Sequence, residues 1–177
     1  MKATVVTYLE DSGVTDTLDR QLRGLLSACF TDPCFAGQRY CHEMPQHRWI
    51  ITDGDGEPAA HLAAHDKMIG SSTGDLRVLG IAEVCVREDF RGRGLVRKMI
   101  EVSHAWARTQ EFPYAMLFGM PAYYSSSGYI CIRNPIRRFE PKREEWETTR
   151  MDSAMVCPIH SPPPWPPGEI DIRGPLF

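Results

Sequence analysis

The stretch Glu83–Ile100, EVCVREDFRGRGLVRKMI, decides how the rest of the chain is read. Its first four residues finish the mostly apolar, β-branched run LRVLGIAEVCV, as a central strand should. From Leu95 the apolar residues Leu95, Val96, Met99, Val102 and Trp106 form one stripe of an amphipathic helix reaching about Gln110. Between strand and helix stand Arg91, Gly92, Arg93 and Gly94. A helix N-terminus has unpaired N–H groups and a partial positive charge, so it attracts phosphate. Glycines let the backbone approach a ligand and take dihedrals that other residues avoid. Arginines add bidentate phosphate contacts. The turn therefore reads as a pyrophosphate cradle, although the four residues alone fit a tight turn with solvated arginines equally well. It is neither G-x-x-x-x-G-K-[ST] nor G-x-G-x-x-G.

Outward from this point, KATVVTY reads as a first strand and TLDRQLRGLLSACF as a helix with Leu18, Leu22, Leu25, Leu26 and Cys29 on one face. TDPCFAGQRYCHEMPQ has neither period and is expected to be a loop with a short helix. HRWIIT and PAAHLAAHDKMI are strand-like and flank DGDGE, whose Asp-Gly pairs mark a hairpin turn. GSSTGD is a second turn. After the long helix come the strand PYAMLFG, the short helix or turn PAYYSSSGY, the run ICIR and a late strand SAMVCPI. The tail HSPPPWPPGEIDIRGPLF starts in extended polyproline conformation. The sum is an α/β (α+β) single domain over residues 1–177, a mostly antiparallel sheet flanked by helices, with a proline-rich extension at 159–177.

The composition excludes several classes. Of 177 residues, 42% are hydrophobic and 24% charged, and the net charge is −3, so nothing general attracts nucleic acid or an acidic membrane. No run approaches the ~18 apolar residues of a membrane helix. The N-terminus lacks a cleavable signal pattern, which leads to the expectation of a cytoplasmic protein. The six cysteines, Cys29, Cys34, Cys41, Cys85, Cys131 and Cys157, are scattered without a C-x-x-C pair. They are expected to be free thiols. Cys41-His42 beside Cys34 lacks the second ligand pair that a zinc site needs.

VREDFRGRGLVRKMI resembles the acyl-CoA signature Q/R-x-x-G-x-G/A of the GCN5-related N-acetyltransferase (GNAT) superfamily. Arg91 and Gly94 match, and Val96 replaces the final small residue. The resemblance implies the GNAT fold and a donor, acetyl-CoA, held by strand residues Val84, Cys85 and Val86 and by turn residues Arg91, Gly92, Arg93, Gly94, Leu95 and Val96. The segments CFAGQRY and RWIITDGDGEPAAH, with the tail WPPGEIDIRGP, also look like nodulation N-acyltransferases. The order of elements, VREDFRGRGLV and MVCPI, looks like aminoglycoside 2'-N-acetyltransferases. The likeness spans about Leu18 to Gly174 in short blocks. Both relatives acylate an amine on an amino sugar, so the implied partner is a small-molecule amine acceptor. Homodimers are frequent in the superfamily.

Amine acetylation by direct attack needs a base for the ammonium, donors for the oxyanion and an acid for the leaving thiolate. The resemblance puts Tyr124 in the acid's position, four residues before Gly128-Tyr129, with Tyr123 as the alternative. A phenol titrating near ~10 suits a thiolate. Glu83 is the candidate base, a carboxylate inside an apolar strand. The aminoglycoside enzymes carry theirs one position earlier, where this chain has Ala82. One residue reverses a strand's face, so Glu83 reaches the acceptor only if a bulge re-aims it. His61 and His65 are further candidates beside the acceptor. In the loop after the first helix, Cys34 and Arg39 stand where the aminoglycoside enzymes have carboxylates, which implies a less cationic acceptor. Asp171 matches an acidic residue of their tail. Two alternatives stay open: a longer-chain N-acyltransferase fed by acyl carrier protein, and a non-catalytic acyl-CoA-binding module.

Overall fold

The computed structural model describes residues 5–177. The first strand was expected to begin at Lys2; residues 2–4 lie outside the described part, and the observed strand is β1, Thr7–Glu10. Helix α1, Asp16–Cys29, starts where the Thr15 hydroxyl accepts the Leu18 N–H, a local N-cap. It buries Leu22, Leu25 and Leu26, as its spacing predicts. A short α2, Cys34–Gly37, lies within the expected loop. Strands β2 (His47–Thr52), β3 (Pro58–Ser71) and β4 (Gly74–Val86) form an antiparallel meander. The glycine turn leads into α3, Leu95–Thr109, followed by β5 (Tyr114–Phe118) and α4 (Pro121–Tyr124).

The remaining strands are β6 (Ile130–Cys131), β7 (Pro135–Glu140), β8 (Glu145–Arg150), β9 (Ala154–Pro158) and β10 (Ile170–Asp171). They join one ten-stranded sheet in the order β6-β9-β5-β4-β3-β10-β7-β8, with β1 and β2 continuing from β3. Pairing is antiparallel except for β4–β5 and β7–β10, which bears out the mostly antiparallel mixed fold. The hairpin β7–β8 had no counterpart in the sequence reading. Its strands, PIRRFE and EWETTR, are rich in Arg and Glu, and Arg138 pairs with Glu140 at 2.7 Å and Glu147 at 2.6 Å. A strand stabilised by a charge ladder shows no apolar alternation.

Two features position the site. Strands β4 and β5 pair only from Val78/Tyr114 to Ile81/Leu117, after which they part. Just past that point β4 carries a bulge. The β3–β4 register steps from Ala63↔Ala82 to His61↔Cys85, and Glu83 sits in the left-handed region at φ 52°, as one extra residue in a strand requires.

The cysteines correct one expectation. Cys34 and Cys41 are disulfide-bonded, with Cα atoms 5.4 Å apart; the turn of α2 supplies a proximity that scattered positions do not reveal. Asp32 lies beside them, but the bond leaves neither sulfur as a thiolate ligand. Among the described residues, no helix is long and apolar enough to cross a membrane.

Candidate active site

The parting of β4 from β5 opens a cavity of about 430 Å³. All nine residues expected to hold the donor line it: Val84, Cys85 and Val86 on β4, and Arg91 through Val96 at the turn. The turn's chemistry follows its sequence. Gly92 and Gly94 have φ of 73° and 70°, where a side chain is strained. A Cβ placed on either would meet nothing within 4 Å, so the space above them is open to a ligand. Helix α3 has no side-chain cap at its N-terminus, and its first residues border the cavity. Arg91 Nε is anchored to the Val86 carbonyl at 3.3 Å and Arg93 Nη2 to the Asp89 carbonyl at 2.8 Å. Each keeps further N–H groups for a ligand. Val96, the departure from the signature, lines the cavity while packing partly on the main core.

Tyr124 closes this cavity from the α4 side, with Tyr123 beside it. Tyr123 is 65% exposed, whereas Tyr124 packs against the core. Burial, reinforced by Cys85 and Tyr123, raises the Tyr124 hydroxyl above the usual phenol range. Its ring fits because Gly119 has no side chain: a Cβ there would lie 2.5 Å from the Tyr124 ring.

A second cavity of about 220 Å³ borders β4 at Ala82 and Glu83 and shares Phe30 with the first. Its walls include Phe35, Glu43, His65, Glu83 and Phe177. The bulge therefore aims Glu83 into a pocket beside the donor cavity. Burial pushes the Glu83 carboxyl up to about 7, and Arg48, whose Nη1 donates to Oε2 at 3.3 Å, only partly offsets that effect. His65 also borders this cavity. Burial, then Lys67 and Arg48, lower its imidazole to about 4, so it is neutral at pH 7.

Arg48 was not singled out from the sequence, yet it organises the site from a fully buried position. It donates to Asp11 at 2.6 Å, to His61 Nε2 at 2.9 Å and to the Arg39 carbonyl at 3.3 Å. Burial alone would raise Asp11; hydrogen bonds from Arg39 and Arg48 win and hold it below the usual carboxylate range. The only hint in HRWIIT was an arginine inside a strand that is otherwise apolar.

Three expectations about acceptor contacts are corrected. His61 is fully buried and borders neither cavity. Burial, then Arg48, push it down to about 3. Its Nε2 accepts from Arg48, which leaves Nδ1–H to donate to the Glu83 carbonyl at 3.0 Å. His61 thus holds the bulge rather than the acceptor. Asp171 accepts from Arg137 Nη1 at 2.6 Å and from the Arg173 N–H at 2.8 Å; β10 runs along β3 and β7, which keeps it out of the second cavity. Arg39 turns to Asp11 at 2.5 Å and Asp19 at 2.8 Å, and it does not line the second cavity.

The tail acts in two parts. Its proline segment is strapped to the sheet, with Tyr114 OH donating to the Pro163 carbonyl at 2.5 Å and Trp165 Nε1 to Asn134 at 3.1 Å. Beyond it, Leu176 and Phe177 wall the second cavity. A Cβ on Gly80 would lie 2.9 Å from the Phe177 ring, so that glycine makes the seat.

Comparison with known proteins agrees with this architecture. The chain is similar in fold to a GNAT family N-acetyltransferase from Escherichia coli solved in complex with CoA, at 17% identity and TM-score 0.69, over 97% of this chain and 92% of that one. It is also similar to a GNAT family acetyltransferase from Brucella melitensis in complex with acetyl-CoA, at 13% identity and TM-score 0.60, over 93% and 95% of the two chains. A longer GCN5-related N-acetyltransferase from Kribbella flavida matches 72% of this chain at 16% identity and TM-score 0.55, and the chain spans 33% of that protein. No curated protein matches the sequence. The model of the acetyltransferase (GNAT) domain matches residues 14–132. The chain belongs to the GNAT acetyltransferase domain family.

Proposed function

We propose that the protein transfers an acetyl group from acetyl-CoA to a primary amine by direct attack, with both substrates bound at once. The observation that carries this reading is the pair of cavities meeting across the β4 bulge, Arg91–Val96 at the far end of one and Glu83 in the other. The first cavity fits the donor. Its glycines leave room for phosphate, its arginines and helix N-terminus supply positive charge, and β4 past Ile81 has no β5 partner on that side. Acetyl-CoA brings the activated thioester; the other roles fall to the chain. Glu83 takes the proton of the acceptor ammonium. The β4 amides freed by the parting face the developing oxyanion. Tyr124 returns a proton to the departing thiolate. Tyr124→Phe is expected to lower kcat by about 10²-fold with little change in acetyl-CoA affinity, read by steady-state kinetics beside calorimetric binding. A cytoplasmic setting, with its pool of activated acyl groups, goes with this reading.

The resemblances to nodulation N-acyltransferases and aminoglycoside 2'-N-acetyltransferases support an amino sugar as acceptor. A second reading has its own support: Phe30, Phe35, Leu176 and Phe177 give the second cavity apolar walls beside Glu43 and Glu83. Those walls suit a compact amine with an apolar body. Thiol release with glucosamine against phenethylamine and related arylalkylamines separates the two readings by kcat/KM.

The donor is tested by thermal shift. Acetyl-CoA at a hundredfold excess over Kd stabilises the folded state by about 2.7 kcal/mol, roughly 5–10 °C for a chain of this size. Gly94→Glu, which puts a strained, negative side chain into the open space of the cradle, is expected to remove the shift. No shift with any CoA species overturns acetyl-CoA as donor, and turnover with an acyl carrier protein carrying a long acyl chain then supports the alternative.

A further inference from the structure

The donor cavity contains two thiols that acetyl transfer does not use. Cys29 is the last residue of α1 and Cys85 lies on β4, and both line the cavity. Cys29 is half-buried and Cys85 buried. The two side chains pack in one apolar cluster, and Arg91 lines the same cavity. The Cys29 thiol donates to the Val86 carbonyl oxygen, 3.6 Å away on the residue next to Cys85. The remaining free thiols differ: Cys131 is exposed on the short strand β6, and neither it nor the buried Cys157 lines the donor cavity.

We propose that Cys29 and Cys85 form a peroxide-reactive thiol pair, in which Cys29 is the site of attack and Cys85 resolves it into an intramolecular disulfide. The contact with Cys85, followed by the charge and hydrogen bond of Arg91, lowers the Cys29 thiol to about 6 against the opposing effect of burial. Cys85 is pushed up, first by its contact with Cys29 and then by burial. Of the two thiols, Cys29 is thus the one that loses its proton more readily. Reactive cysteines are partly exposed thiolates beside a cation and a second thiol, and this pair meets each condition.

The chemistry balances. The Cys29 thiolate attacks one oxygen of hydrogen peroxide, the O–O bond breaks, hydroxide leaves, and sulfenic acid remains on Cys29. The Cys85 thiol then attacks the Cys29 sulfur, an S–S bond forms, and the hydroxyl departs as water with the Cys85 proton. Peroxide is reduced by two electrons and the two thiols are oxidised. The product joins the end of α1 to β4 within the donor cavity.

The test treats the wild-type chain with hydrogen peroxide and follows it by intact mass and peptide mapping. A loss of two hydrogen atoms and a Cys29–Cys85 crosslinked peptide are expected. Limited iodoacetamide at pH 7 should label Cys29 about tenfold faster than Cys131. Cys85→Ala should leave a Cys29 sulfenic acid trapped by dimedone, and Cys29→Ala should leave none. Oxidation confined to Cys131, or equal dimedone labelling with and without Cys29, overturns the proposal. Saturating acetyl-CoA should slow the labelling of Cys29. A crosslink that forms without such protection keeps the thiol pair and counts against acetyl-CoA as the cavity's ligand.

Discussion

Glu83→Gln is expected to lower kcat by about 10²–10³-fold and at the same time to make the protein more stable above pH 7. Both effects come from one buried side chain. Its carboxyl is 10% exposed and titrates at about 7 instead of the ordinary value near 4.5. As the candidate base, it should give kcat/KM a limb that rises with pH through about 7, and Gln should abolish that limb. The stability effect has the opposite direction. Between about 4.5 and 7 the folded state holds a proton that the unfolded state has released, so stability falls as pH rises through that window. At pH 8 the native protein carries the whole penalty, at most about 3 kcal/mol, and Gln removes it. Paired urea denaturations at pH 5 and pH 8 check this: the variant should gain on the native protein only at the higher pH. A loss of stability at both values, with kcat unchanged, would assign Glu83 to structure alone.

Arg48→Ala should destabilise the fold by about 3–5 kcal/mol, the usual result of removing one partner of a buried ion pair, and lower Tm by roughly 10 °C. Asp11 is itself buried, and it would keep Arg39 but lose its 2.6 Å contact with Arg48. His61 would lose the donor that fixes its ring. The variant also has a signature in the active site. Arg48 pulls the Glu83 carboxyl down, so without it the rising limb of the pH–rate profile should move to higher pH. Arg48→Lys separates charge from shape: it should hold part of the limb's position while losing most of the stability, because an ammonium cannot reproduce the fork.

The lining of the first cavity was legible in the sequence and that of the second was not. The cradle occupies consecutive residues, Arg91 to Val96, at a strand–helix junction, so local spacing carries its geometry. Tyr124 was placed by the resemblance, whose pattern sets a tyrosine four residues before Gly128-Tyr129. The second cavity, by contrast, gathers Phe30 and Phe35 after α1, Glu43 from the loop, His65 from β3 and Phe177 from the tail, positions that only the fold brings together. The orientation of Glu83 turned on a single extra residue in β4, and no apolar period records a bulge. His61 and His65 sit on the same strand face in the sequence pattern. The register with β4 seals one under the bulge and leaves the other at a cavity wall. The Cys34–Cys41 bond and the hairpin β7–β8 were missed for another reason: both are local, but the first needs the turn of α2 and the second lacks an apolar alternation.

Where β4 turns away from β5 beyond Ile81, the sheet contains an edge in its interior. Outer strand edges are hazards because any extended chain can pair with them. This edge is recessed, with Phe30 at one wall and Tyr124 at the other. A slot of this kind admits one slender chain of amide groups, such as the pantetheine arm, and excludes the second strand that would start an aggregate. The unpaired stretch of β4 is thus bordered by the side chains that line the cavity instead of by a neighbouring strand.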